Sequence, residues 1–178
     1  MFRKPKTALF MIAIAWGLGA ALIGAASASA QSRDCQRYEA ERAQYVAAAI
    51  NGISPHVQAM ASQRGIAPEV ATFYWAGALI QANDTGSRNT LADLTLASST
   101  WPGQSGRAYE ALERMYAEHR NLRAGFLAGL ALSGQDGNAD PIRARAYLAE
   151  IAREGRPEAQ AFLALFDACH GSRRMAMN

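Results

Sequence analysis

The chain has 178 residues, of which 50% are hydrophobic and 19% charged, and its formal net charge is +3. Three of the 18 basic residues and none of the 15 acidic ones lie in residues 1–30, which leaves 15 of each sign in the remainder. This balance excludes the strong positive field that is typical of nucleic-acid-binding domains and of proteins that bind anionic lipid. We therefore expect neither nucleic acid nor a membrane as a partner of residues 31–178.

Residues 1–30 have the three parts of a signal peptide. Three basic residues are followed by an apolar run over residues 8–26, and the segment ends in Ala28-Ser29-Ala30. Small residues at the positions of Ala28 and Ala30 are typical of a signal peptidase site. We therefore predict cleavage before Gln31 and a periplasmic or secreted protein. The alternative is an uncleaved membrane anchor, because the run approaches the ~20 residues that cross a bilayer.

Two cysteines, Cys35 and Cys169, lie near the two ends of the exported part. In an oxidising compartment such a pair predicts a disulfide that closes almost the whole domain into one loop. The alternative is two free buried thiols. No further Cys or His lies at ligand spacing, so we predict no metal site.

The composition is rich in Ala, Leu and Arg, and strand-like alternation is not sustained, which predicts an all-α fold. Asp34 predicts the cap of a first helix that ends near Asn51-Gly52. Ser54-Pro55 predicts a new start, and Arg64-Gly65 predicts its end. We interpret residues 31–66 as N-terminal capping helices.

The next helix opens at Pro68-Glu69. Its residues are apolar on most sides, so we expect this stretch to be buried in the middle of the domain; its large members are Phe73, Tyr74, Trp75, Leu79 and Ile80. Residues 83–89 predict a polar loop, and a short leucine-rich helix follows. Trp101-Pro102-Gly103 then breaks the chain.

Four further helices are predicted near residues 104–119, 122–133, 141–154 and 157–169, with a flexible tail over 171–178. The last two helices carry one-sided apolar stripes at i, i+3, i+4 and i+7. Gly125 and Gly129 are four residues apart within one helix. Because glycine costs up to about 1 kcal/mol there relative to alanine, this pair indicates a close helix contact.

Residues 124–168 resemble the SEL-one-like repeat, a relative of the tetratricopeptide repeat. The matching positions are Ala124, Gly129, Asp140, Ala144, Tyr147-Leu148, Ile151-Ala152, Gly155 and Ala159. The resemblance implies a short right-handed α-α superhelix (a solenoid) over residues 67–170, with its clearest repeat at 124–168. It also implies no cofactor and a role as an adaptor, since exported bacterial members are commonly scaffolds or regulators in the envelope.

A solenoid of this kind binds a protein segment in the groove formed by its successive first helices. Trp101, in a loop, is a candidate contact residue, because loop aromatics make good interface anchors. A basic surface near the repeat loops predicts further partner-binding residues at Arg120, Arg123 and Arg143. The alternative is a solvated face in which arginines pair with Glu113, Glu118 and Glu150.

No catalytic motif is present, so we predict no catalytic residue and no enzyme activity. Asp136-x-Asn138-x-Asp140 resembles the start of a calcium loop, but Pro141 replaces the expected glycine, and Asp140 is better explained as a helix cap. Glu69 is the least implausible acid for a cell-wall hydrolase. The favoured function is an envelope adaptor or scaffold that binds another protein; a structural subunit of an envelope or secretion assembly and a cell-wall enzyme are the alternatives.

Overall fold

The computed structural model describes the backbone of residues 9–100, 104–134 and 139–175, and the side chains of 33–100, 104–134 and 139–170. Within these ranges the chain forms seven α-helices and no strand, which confirms the all-α class. The helices are α1 (Leu9–Arg64), α2 (Pro68–Ala82), α3 (Thr85–Ser98), α4 (Ser105–His119), α5 (Leu122–Leu132), α6 (Pro141–Arg153) and α7 (Pro157–Met175). The side chains of the predicted signal peptide and tail fall outside the described residues.

Most helix boundaries follow local capping chemistry. Gly65 adopts a φ of 62° and the Ile66 amide donates to the Ala61 carbonyl at 3.1 Å, which ends α1 where the sequence predicts. The Asp140 carboxylate accepts from the amides of Ile142 and Arg143 at 3.2 and 3.0 Å and so caps α6. This confirms the cap interpretation of Asp140.

Two predicted interruptions are wrong. α1 continues without a break through Ser54-Pro55, so Ser54 does not cap a helix. The described backbone of α1 also begins far upstream of Asp34, so Asp34 lies within the helix and does not cap it. The Ser54 hydroxyl instead donates to the Ile50 carbonyl one turn earlier, at 2.9 Å. Ile53 and Val57 are buried on either side of the proline, and this packing offsets the lost backbone hydrogen bond.

The polar segment predicted over residues 83–89 is mostly helix. α3 begins at Thr85 because the Asp84 side chain accepts from the Ser87 amide at 2.9 Å. The Ser87 hydroxyl also donates to Asp84 Oδ2, at 2.6 Å, and these two hydrogen bonds hold the pKa of Asp84 below its usual value. A single cap therefore shortens the loop to residues 83–84.

α5 is the central helix, and every residue from Ala124 to Leu132 is buried. It packs against α4 and α6 and also touches α3 and α1. A Cβ added at Gly125 would lie 2.7 Å from Tyr116 Cδ2 and 2.9 Å from Ile151 Cδ1, and one at Gly129 would lie 3.2 Å from Leu148 Cγ. The close approach that these glycines predict is confirmed.

From α2 to α7 each helix packs on the next, while α1 lies across α3, α5 and α7. Midway along α1, Tyr38 meets the Phe166 ring edge-to-face at 5.6 Å, and further along Tyr45 meets Phe126 at 5.2 Å. Ile53 joins the apolar cluster around Leu94 of α3. α1 thus contributes to the core from Tyr38 to Ala61.

A disulfide joins Cys35 of α1 to Cys169 of α7, with an S–S distance of 2.01 Å. The predicted pairing is confirmed. It links residues 134 positions apart, and the chain-entropy model assigns about 5 kcal/mol to a loop of this length. Among the described residues no helix is long and apolar enough to cross a membrane.

Candidate functional site

The expectation that α2 is buried is wrong for three of the five large side chains named for it. Phe73 is 79% exposed, Ile80 62% and Tyr74 55%, while Trp75 and Leu79 pack against α1 and α3. α2 is apolar around most of its circumference, but among the described residues it packs mainly against those two helices. Its remaining side therefore faces solvent.

The large exposed hydrophobic residues of α2, together with the half-buried Gly77 among them, form one surface. We call this surface the α2 stripe and define it as Val70, Phe73, Tyr74, Gly77 and Ile80. Their spacing of three and four residues places them on one side of the helix. From Val70 to Ile80 the stripe extends about 15 Å at 1.5 Å per residue. Apart from Ile142, the large exposed hydrophobic side chains of the described residues all lie on it.

The stripe exposes roughly 400 Å² of apolar surface, given the size of aromatic side chains and their exposed fractions. The largest apolar patch on a typical monomer has about this area and is often functional. Gly77 adds a second indication, because a Cβ placed there would meet no atom within 4 Å. Nothing within the described chain requires this glycine, in contrast to Gly125.

A cavity of about 350 Å³ lies between α2, α3 and α4, beside the end of the stripe. Ile80 belongs to both surfaces. The apolar wall includes Leu79, Leu91 and Met115. The volume is at the lower end for ligand pockets, enough for a few side chains of a partner.

Positive charge dominates the polar rim of this cavity. Arg114 makes no ion pair within the described part of the chain, and Arg88 donates only to the neutral Asn83 side chain, at 3.0 Å. Glu118 is the one acidic residue of the lining, and it lies 3.9 Å from His119. The rim therefore favours an anionic group.

Asn121 lines the same cavity and is only 6% exposed. Its Oδ1 accepts from the Ala124 amide at 3.0 Å and caps α5. Its Nδ2 is buried without a hydrogen-bond partner among the described residues. A buried donor left in this state costs about 1–3 kcal/mol, so this cap of α5 is retained at a cost in stability.

The predicted partner-binding arginines are all engaged within the chain. Arg120 reaches Glu150 at 3.1 Å and Arg143 pairs with Glu113, as the alternative interpretation had it. Trp101 lies outside the described residues. The paired arginines leave less free charge on this face than the sequence suggests.

Arg123 is the most enclosed of the three, with 15% of its side chain exposed. It lies 2.7 Å from Asp93 of α3 and also donates to the Tyr45 hydroxyl of α1. Burial acts to lower the pKa of Arg123, but the Asp93 carboxylate outweighs it and the pKa is raised. Arg123 thus connects three helices of the core.

α1 covers the surface at which the sequence predicts a partner. In the predicted repeat the first helices are α3, α5 and α7, and α1 packs on all three. The α2 stripe and the adjoining cavity are exposed apolar surfaces that we find elsewhere in the described residues.

Glu69 and two of the histidines can be placed within the described residues. No group of three or more His, Cys, Asp or Glu side chains in them is arranged to hold a metal ion. Glu69 is exposed at the first turn of α2. His170 stacks on Phe166 at 4.1 Å, and His56 lies 5.7 Å from the Trp75 ring, so both make packing contacts.

No known protein-family model matches the chain, and neither a curated protein nor a solved structure is significantly similar to it. The resemblance to the SEL-one-like repeat thus stays a prediction. Sequence reasoning missed both surfaces at α2. One signal was available: Gly77 interrupts a strongly apolar helix without any turn to explain it.

Proposed function

We propose that this protein is an exported helical-repeat adaptor or scaffold of the bacterial envelope, which binds a segment of another protein at the cavity between α2, α3 and α4. One observation carries the proposal: the cavity combines apolar walls with two arginines, Arg88 and Arg114, that make no ion pair within the described residues. An acidic side chain flanked by apolar residues has the complementary chemistry.

Three further features support this function. The consecutive packing of α2 to α7 agrees with a short solenoid of SEL-one-like hairpins, and such folds mostly bind proteins. The Cys35–Cys169 disulfide supports an oxidising compartment. The basic start, the apolar run and the Ala28-Ser29-Ala30 end of segment 1–30 agree with an export signal.

The test is site-specific photocrosslinking in the native host. A photoreactive residue replaces Glu118, which lines the cavity, and in a control it replaces Glu110, an exposed residue of the same helix away from the cavity. We expect one heterologous adduct at position 118 that is absent at 110 and that is lost when Arg114→Gln is added.

Adducts that are identical at both positions, or that persist with Arg114→Gln, would refute the cavity as the binding site. Adducts at position 118 that contain only copies of this chain would instead favour the structural-subunit alternative. Arg107→Gln is the matched control for Arg114→Gln, because Arg107 is an exposed arginine of α4 outside the cavity.

A further inference from the structure

We propose that the α2 stripe pairs with the α2 stripe of a second copy of this chain, antiparallel and about a two-fold axis. The inference concerns a different surface from the proposed partner cavity, although Ile80 borders both. It follows from the order of side chains along the stripe.

The stripe is self-complementary when read in opposite directions. If the two-fold axis passes near residue 75, Phe73 of one copy lies opposite Gly77 of the other, and Val70 lies opposite Ile80. Phe73 is a large side chain that is 79% exposed, and Gly77 has open space where a Cβ would lie. Each copy therefore offers one projection, the side chain of Phe73, and one recess, the open position at Gly77. The two-fold axis places the Phe73 of each copy at the Gly77 of the other, as in isologous interfaces.

A parallel arrangement lacks this fit. It would place Phe73 against Phe73 and Glu69 against Glu69, so that bulk meets bulk and like charges meet. Antiparallel pairing separates the two Glu69 carboxylates by about 18 Å along the helix, which is beyond the Debye length at physiological salt. Glu69 is the only charged residue of α2.

The two ends of the helix stack also differ. Solenoids need terminal units with a polar outer face to stay soluble. α7, the last helix, exposes only Pro157, Gln160 and three alanines among its described residues 157–170, so it presents no large apolar side chain. α2 exposes Phe73, Tyr74 and Ile80 instead. The α2 end is therefore the end that carries a large exposed apolar surface.

The area predicts a reversible dimer. Roughly 400 Å² of apolar surface from each copy gives about 800 Å² in total, which is below the 1,200–2,000 Å² of stable complexes and in the range of weak, transient ones. We therefore expect association in the micromolar range, where it is measurable with purified protein.

The experiment is sedimentation equilibrium of the purified protein and four variants. Phe73→Gly leaves the recess unfilled, and Gly77→Phe places a second ring against Phe73. We expect each single variant to weaken association at least tenfold. The double variant Phe73→Gly with Gly77→Phe exchanges projection and recess in both copies, and we expect it to restore association to within about threefold of the wild type.

Ile142→Ser is the matched control, because Ile142 is as exposed as Phe73 (77% against 79%) and lies on α6. It should leave association unchanged. If the copies associated only through non-specific contact of apolar surfaces, Gly77→Phe would strengthen association, because it adds apolar area. The two-fold pairing predicts that it weakens association.

A wild-type protein that stays monomeric up to roughly 100 µM would overturn the proposal, and so would a Gly77→Phe variant that associates as well as the wild type. Failure of the double variant to recover, while it keeps the helical circular dichroism of the wild type, would overturn the antiparallel register. None of these results bears on the Glu118 crosslinks, so the dimer and the adaptor function can fail separately.

Discussion

Two glycines in helix interiors, Gly125 and Gly77, allow the replacement of glycine by alanine to be tested at a closely packed position and at an open one. Gly125 in α5 faces Tyr116 and Ile151, and an added Cβ would lie 2.7 Å and 2.9 Å from their nearest atoms. Both neighbours are buried and belong to different helices. Gly77 in α2 has no atom within 4 Å of the same position.

The expected free energies follow from these distances. Replacing a mid-helix glycine by alanine favours the helix by up to about 1 kcal/mol. At Gly77 nothing opposes this gain, so Gly77→Ala should raise the free energy of unfolding by about 0.5–1 kcal/mol. At Gly125 overpacking of the core costs about 1–3 kcal/mol, so Gly125→Ala should lower the free energy of unfolding by about 1–2 kcal/mol.

The assay is urea unfolding followed by circular dichroism, with the disulfide intact and at one low protein concentration that keeps the chain monomeric. Equal slopes against denaturant for the two variants ensure that the midpoints report stability. If Gly125→Ala stabilises the protein as Gly77→Ala does, the close packing of α4, α5 and α6 is wrong. If Gly77→Ala destabilises it, the open surroundings of α2 are wrong.

Three other predictions concern the disulfide and two titrating side chains. Replacing Cys35 and Cys169 together by serine should lower the free energy of unfolding by about 2–5 kcal/mol, measured by urea unfolding against wild type with and without reductant. Burial raises the pKa of Tyr38 to about 12; since the folded state favours the neutral phenol, stability should be full below pH 10 and fall by about 3 kcal/mol as pH rises to 12. Tyr38→Phe should remove one late step from the tyrosinate absorbance titration and flatten that loss. Because the pKa of Asp84 is lowered in the folded state, the stability that its α3 cap contributes is present at neutral pH and disappears as pH falls below its usual pKa; Asp84→Ala should remove this acid dependence, as followed by thermal unfolding between pH 2 and 7.

Local signals predicted the later helices well. α6 and α7 begin at the predicted prolines because Asp140-Pro141 and Arg156-Pro157 determine a start within a few residues. The core face of these helices also follows from the i, i+3, i+4, i+7 spacing, which is a property of one helix alone. Gly125 was informative because glycine destabilises a helix interior relative to alanine, and close packing of a neighbouring helix explains why it is present there.

Where tertiary contacts decide, the same signals failed. Ser54-Pro55 has the local signature of a helix start, but burial of Ile53 and Val57 keeps α1 continuous. α2 is apolar on most sides, and no local pattern states that it packs mainly against two neighbours. The ion pair of Arg143 with Glu113 spans 30 residues, so sequence alone left it as one of two interpretations.

The position of α1 decides which surfaces remain for partners. A peptide that entered the groove along α3, α5 and α7 would have to expose Tyr38, Ile53 and Val57, which are buried there, together with the largely covered Tyr45. At about 2 kcal/mol for each such side chain the cost is about 8 kcal/mol, which is comparable to the whole stability of a typical domain. The disulfide further holds α1 to α7 covalently at Cys35. Since few interfaces offer a surplus of that size, binding by displacement of α1 is disfavoured, and this supports the proposal of a partner site at the α2 end.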